Sequence, residues 1–271
     1  MAQTAGLANV SGKPRHSVLE LRRVTKLYSS IPAVNDVSFI AHAGEITGYL
    51  GPNSSGKSTT LKIIAGLIEP TDGTVLFGGE PIQHNPIQYK QRLGYVPEEP
   101  HLYSHLTGLE YLTMVAQLRG LPRKSSAEKI QGLLRLFSLY GDRHLSISSY
   151  SKGMRQKVLL SAALLHNPDL ILLDEPFSGL DVTSALVMRS LIRELAMRGK
   201  VVVFSSHELE TVERVCSHVV ILHRGKIVAD DAIESLRTLM ALPTLEEIFS
   251  QLAVEQDTEA VSREIANLIL A

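Results

Sequence analysis

Apolar and polar positions along this chain fall into two kinds of run. Residues 19–28 and 34–40 carry the β-branched, alternating character of half-buried strands. Residues 45–50, 73–77 and 93–96 are shorter strand-like runs, the last ended by Pro97. For about seventy residues after Pro97 the texture is helical. Thr107-x-x-Glu110 and Ser125-x-x-Glu128 both have capping-box spacing. The second is expected to open a helix with Ile130, Leu133, Leu134 and Phe137 on one face. Strand patterns return at 170–173 and 201–204, each followed by a helix, and Met188, Leu191, Ile192 and Leu195 form one apolar stripe. Strands alternating with helices imply a parallel, twisted sheet. Residues 219–222 and 226–229, joined across Arg224-Gly225, predict a closing hairpin. The helical pattern resumes past Asp230, with a third capping box at Thr244-x-x-Glu247. Neither an internal repeat nor a low-complexity segment is evident.

The chemistry begins where the strand 46–50 meets the helix 58–65. Between them stands Gly51-Pro52-Asn53-Ser54-Ser55-Gly56-Lys57-Ser58, a G-x-x-x-x-G-K-S phosphate loop followed by Thr59. Glycines fall where the backbone must turn tightly and expose its N–H groups. The unpaired amides and dipole at the start of the helix supply the donors and positive field that a phosphate needs. Lys57 is expected to reach the β- and γ-phosphates and Ser58 to ligate Mg²⁺. The substrate class is therefore a nucleoside triphosphate, and the single loop means one nucleotide cassette.

A second acidic element completes the expected site. Leu170-Ile171-Leu172-Leu173-Asp174-Glu175 is an apolar run ending in two carboxylates, as in a buried strand whose C-terminal end faces a ligand. Asp174 is expected to hold Mg²⁺, directly or through water. Because side chains alternate on a strand, Glu175 points differently and is free to orient and deprotonate the attacking water as general base.

Composition narrows the setting. At 271 residues and 44% hydrophobic content the chain can bury a core as one large α/β domain or two lobes. Its 27 Lys and Arg against 28 Asp and Glu leave a formal net charge of −1, so no global basic field points to nucleic acid or anionic lipid. Cys216 is the sole cysteine, which excludes an internal disulfide framework and a thiolate metal cluster and fits a reducing cytoplasm. The longest apolar run, 158–165, is interrupted by Ser161 and falls short of the roughly 18 to 20 residues of a membrane span. Residues 1–17 are small, polar and basic, without the apolar centre of a secretory signal, and are expected to be disordered.

Three further segments, with the two motifs above, resemble the ATP-binding cassette (ABC) ATPases. Ser151-Lys152-Gly153-Met154-Arg155-Gln156, before the acidic strand, resembles the family's signature motif. Ser178-Gly179-Leu180-Asp181 resembles its D-loop, and His207 in Ser205-Ser206-His207-Glu208 its switch histidine. Tyr28 stands where the family places an aromatic ring against the adenine. Glu98, in Gly94-Tyr95-Val96-Pro97-Glu98-Glu99, stands where it usually has glutamine. The resemblance runs from about residue 19 to residue 229. It implies an α/β, P-loop NTPase (RecA-like) core with an antiparallel β subdomain and an α-helical subdomain inserted at about 98–165. The cassette would span 18–229 and be followed by a helical extension over 230–271.

By that resemblance His207 contacts the γ-phosphate. Ser151 and Gly153 bind the γ-phosphate of a nucleotide held by a second copy, with Asp181 in the same binding set, so two cassettes close around two MgATP. Binding residues would be Tyr28, Gly51, Pro52, Asn53, Ser54, Ser55, Gly56, Lys57, Ser58, Thr59, Glu98, Ser151, Gly153 and Asp181. Glu175, His207 and Lys57 would be catalytic, and Ser58, Asp174 and Glu98 the metal ligands.

The chain departs from the common family pattern at three places. Ser54 replaces a glycine, which asks whether the backbone there needs positive φ. Lys152 replaces the signature's first glycine, and either adds positive charge near phosphate or is simply solvated. Glu98 keeps an oxygen but loses the amide donor. Together with Glu98-Glu99-Pro100 and Thr244-Leu245-Glu246-Glu247-Ile248-Phe249, these features resemble the multidrug and antibiotic exporter branch. There a separate membrane permease is powered from the cytoplasmic face of the cell membrane. Leu102, Tyr103, Leu106, Tyr111 and Leu112 are either a docking surface for that permease or ordinary packing. Two other functions fit the motifs. A soluble ABC ATPase acting on a macromolecular machine is disfavoured by the single cassette and the lack of basic linkers or long coiled coils. A regulatory cassette with little turnover is kept open by Glu98 and Lys152.

Overall fold

Uninterrupted apolar strands must be covered on both faces, and the structure does this with two sheets and two layers of helix. A computed structural model of the chain describes residues 18–99, 101–240, 242, 244–253, 262 and 266. The expected disorder of residues 1–17 and most of the extension past residue 253 lie outside the described residues.

Ten strands are present among the described residues: β1 (Val18–Tyr28), β2 (Ile31–His42), β3 (Ile46–Leu50), β4 (Asp72–Phe77), β5 (Glu80–Pro81), β6 (Leu93–Val96), β7 (Leu170–Asp174), β8 (Val201–Ser206), β9 (His218–His223) and β10 (Lys226–Ala232). They form an antiparallel sheet ordered β2-β1-β4-β5 and a second ordered β10-β9-β3-β8-β7-β6. In the second, β9, β3, β8, β7 and β6 run parallel and only β10 is antiparallel. The expected parallel sheet and closing hairpin are both there.

The helices are α1 (Lys57–Ile64), α2 (Pro86–Gln91), α3 (Gly108–Leu118), α4 (Arg123–Leu136), α5 (Lys152–Leu164), α6 (Val182–Met197), α7 (Leu209–Val215), α8 (Ile233–Met240) and α9 (Leu245–Ala253). Strand alternation divides the core between two sides of the second sheet. Leu170, Leu172, Val201 and Val203 face α1 and the antiparallel sheet. Ile171, Leu173, Val202 and Phe204 face the other way, toward Met188 and Ile192 of α6, Val212 of α7 and Leu245 and Ile248 of α9. A third cluster joins Leu112, Ile130, Leu134 and Val158 of α3, α4 and α5. Among the described residues no helix is long and apolar enough to cross a membrane.

Two local expectations change. The box at Thr107 forms as read, with the Thr107 and Glu110 side chains bonded reciprocally to each other's backbone N–H. Ser125 opens nothing, because α4 already starts at Arg123 behind Pro122. Pro122 sets the chain direction, and the Ser125 hydroxyl donates back to the Pro122 carbonyl at 3.2 Å. Of the apolar residues after Pro97, Leu112 is fully buried, so it is core rather than docking surface, whereas Tyr103 is 58% exposed.

Candidate functional site

The carboxyl ends of β3, β8 and β7 lie side by side, and every loop that leaves them carries a residue singled out above. β3 delivers Gly51 to Gly56, β7 ends on Asp174, and β8 ends on Ser206, one residue before His207. Such an edge is where open α/β sheets bind their ligands.

The loop's geometry is that of an anion cradle. Gly56 caps α1 with φ 107°, and a Cβ there would sit 2.3 Å from the Ala33 carbonyl oxygen, so only glycine fits. Ser54 has φ 65°, so the position does require a left-handed backbone, at a cost of about 1–3 kcal/mol for a serine. Lys57 folds back over the loop and donates to the carbonyls of Gly51 at 2.8 Å and Pro52 at 3.1 Å. Burial lowers its pKa from the ordinary value, opposed by the negative charges of Glu175, Asp174 and Glu98. Asn53, Ser54, Gly56, Lys57, Ser58, Thr59, Glu98, Glu175 and His207 line one cleft of about 330 Å³ with Ala33. Ser58, Glu98 and Asp174 also line an adjoining cleft with Glu99 and His101.

Glu175 lies just past the end of β7 with φ 49°, so its direction comes from a left-handed backbone rather than from strand alternation. Its Oε2 is 3.0 Å from His207 Nδ1. Burial raises its pKa, and the hydrogen bond and charge of His207 oppose the rise. Ser205, buried beneath this pair, was no candidate by sequence. Its hydroxyl donates to Asp174 Oδ1 at 2.5 Å and accepts the Glu175 backbone N–H at 3.0 Å. A lone serine inside an apolar strand gives little warning of this; only its register opposite Asp174 does.

Other candidates stand apart from the cleft. Ser151 caps α5, its side chain accepting the Met154 N–H, with Gly153 in the first turn. Gly153 lies against the D-loop-like segment, since a Cβ on it would come 3.0 Å from the Gly179 carbonyl oxygen. Asp181 caps α6 and accepts from Ser184 N–H at 2.9 Å and from Ser184 Oγ at 2.6 Å. Tyr28 ends β1 with its ring 51% exposed and the Lys26 ammonium 5.6 Å from the centroid. One copy of the chain therefore gathers the phosphate loop, Glu98, Asp174, Glu175 and His207, and holds Ser151, Gly153, Asp181 and Tyr28 outside them.

An all-oxygen set of Ser58, Asp174 and Glu98 suits a hard cation such as Mg²⁺. Among the described residues no three His, Cys, Asp or Glu side chains are grouped to hold an ion unaided. That is the usual situation for Mg²⁺, which takes one or two carboxylates and completes its shell with phosphate oxygens and water.

Residues 34–178 match the family model described as ABC transporter. The chain is 38% identical over 216 residues to the ABC transporter ATP-binding protein NatA of Bacillus subtilis, covering 79% of this chain and 88% of NatA. It is 33% identical over 222 residues to the bacitracin transport ATP-binding protein BcrA of Bacillus licheniformis, covering 82% and 72%. A solved ATP-binding subunit of an ABC transporter superposes with a TM-score of 0.82 at 34% identity, covering 87% of this chain and 99% of that one.

Proposed function

The chain belongs to the ABC transporter family as an ATP-binding, ATP-hydrolysing subunit, and from that premise we propose that it powers export of a small molecule or drug through a separate permease. The carrying observation is the single cleft in which Lys57, Ser58, Glu98, Glu175 and His207 converge.

In this reading the γ- and β-phosphates displace the Gly51 and Pro52 carbonyls as partners of Lys57, whose ammonium exchanges neutral acceptors for anionic ones. Ser58, Asp174 and Glu98 would hold Mg²⁺, which when bound would supply neutralisation of charge on the phosphates. Glu175 accepts a proton from the attacking water as that oxygen bonds to the γ-phosphorus and the bond to the β-bridging oxygen breaks, giving ADP and phosphate. His207 holds the carboxylate in place and reaches toward the γ-phosphate. Ser205 fixes the Asp174 carboxylate and the Glu175 backbone N–H from beneath.

Ser151 and Gly153 stand outside the cleft of their own chain, which favours a second copy supplying this helix tip to the nucleotide. Closure by ATP and opening after hydrolysis is then a two-state cycle biased by the γ-phosphate.

An apolar furrow of about 600 Å³ between α1, α2, β6 and α3, lined by Leu67, Ile87, Tyr95, Tyr111 and Leu118, is the seat proposed for the permease. Ile87 and Leu118 are 73% and 79% exposed, more apolar side chain than a monomer's surface needs there. The subunit would thus sit peripherally on the cytoplasmic face of the cell membrane. The name of BcrA supports an antibiotic-related substrate.

Co-purification from detergent-solubilised membranes tests the partner. A multi-span membrane protein is expected with the native chain and less of it with Leu118→Asp. Ribosomal or nucleic-acid partners instead would support the macromolecular-machine reading.

A further inference from the structure

Resting on the assignment of Glu175 as base, we propose that Lys152 is a positioning residue for it, strapping the loop that follows Glu175 onto the tip of α5. Lys152 Nζ donates to Ser178 Oγ at 2.8 Å. Its methylene stem lies across Gly179, where an added Cβ would be 2.8 Å from Lys152 Cδ and 3.1 Å from Cγ. From the other side Gly153 admits the loop, leaving 3.0 Å between a hypothetical Cβ and the Gly179 carbonyl oxygen. Gly179 itself has φ 74°. The start of α5 and residues 178–179 therefore meet through two glycines, with the lysine laid over the joint.

The path from this joint to the base is short. Ser178 N–H donates to the Glu175 carbonyl at 3.1 Å, closing the turn over residues 175–178. Glu175 occupies φ 49°, a conformation that persists only where the surroundings fix it from several directions. Ser205 fixes its N–H from the sheet side, and Lys152 fixes the far end of its turn from the helical side. A lysine-to-hydroxyl bond at an exposed position contributes little to folding. Its effect is on geometry, where a displacement of about 1 Å can change turnover a hundredfold. Lysine is suited to this joint because a glycine here, as in the common signature, offers neither the stem nor the ammonium.

The test is steady-state ATP hydrolysis by the full chain, comparing Lys152→Met, Ser178→Ala, the double variant and Lys152→Arg. Lys152→Met keeps an unbranched stem over Gly179 and removes only the donor. The strap predicts that kcat falls about tenfold in each single variant with KM within about twofold, and no further in the double variant. Lys152→Arg restores most of the rate, and thermal midpoints stay at the parent's. A raised KM with unchanged kcat in Lys152→Met, a parent-like Ser178→Ala, or a thermal midpoint that falls with kcat each overturns the proposal. Glu175→Gln, run alongside, separates the two layers. Undiminished turnover there sinks the base assignment itself, whereas an inactive Glu175→Gln beside a parent-like Lys152→Met sinks the strap alone.

Discussion

His207 and Glu175 face each other with the imidazole Nδ1 3.0 Å from the carboxylate Oε2. The two side chains come from loops after adjacent strands, β8 and β7, so their spacing is fixed by the sheet. Burial pushes the Glu175 pKa above the ordinary carboxylate value and His207 pulls it back. A base works only when ionised, so the acid limb of kcat/KM, which reports the free enzyme, is displaced upward from that of an ordinary glutamate. His207→Ala removes the opposing influence and should move that limb to still higher pH. A pH profile of ATP hydrolysis checks this, and a shift to lower pH would refute the coupling. For folding the sign is separate. A carboxyl whose pKa is raised in the folded state stabilises it below the unfolded pKa, and that contribution is lost as pH rises through the folded pKa.

Lys57→Met removes a buried cation that stands near three carboxylates. Loss of charge-assisted bonds to phosphate should weaken ATP binding by roughly tenfold to a hundredfold, about 1.5–3 kcal/mol. Titration with a fluorescent ATP analogue reads this directly, and parent-like affinity would remove Lys57 from the phosphate site.

Ser54→Gly relieves a left-handed backbone at φ 65°. The relief of about 1–3 kcal/mol is partly offset by the greater freedom of an unfolded glycine, about 0.5–1 kcal/mol, so a net stabilisation is expected. Ser54→Val, β-branched at the same dihedral, should destabilise. Urea unfolding of both variants gives the comparison.

Ser205→Ala strips the hydroxyl that joins Asp174 to the Glu175 N–H. A buried donor left without an acceptor costs about 1–3 kcal/mol. The loss should appear both in urea unfolding and in a higher Mg²⁺ concentration for half-maximal turnover. A variant that is destabilised with no change in Mg²⁺ dependence would confine Ser205 to a structural role.

Much of this was legible in order along the chain. The phosphate loop between β3 and α1, the acidic end of β7 and the closing hairpin all follow from local pattern, because each is set by residues within a turn or a strand of one another. Positive φ at Ser54 could be anticipated since the position asks for glycine. Ser205 could not, because its role depends on register against Asp174, which no local pattern encodes. The start of α4 differs from the pattern for the opposite reason: a good capping-box spacing at Ser125 competes with Pro122, behind which the helix already begins at Arg123. For Leu112 the pattern leaves docking surface and ordinary packing open, and the packing of α3 on α4 and α5 decides for the core.

The sheet order also bears on the birth of the molecule. β3, which aims the phosphate loop, is hydrogen-bonded between β8 and β9, both encoded far downstream, and its C-terminal residues Tyr49 and Leu50 pair with Ser205 and Ser206. During synthesis the nascent amino-terminal third has no partner for this strand, whose residues are buried throughout in the finished molecule. Nucleotide capture is thus among the last properties the growing polypeptide acquires, and until β8 and β9 have emerged from the ribosome the unpaired strand is a segment for chaperones to shield.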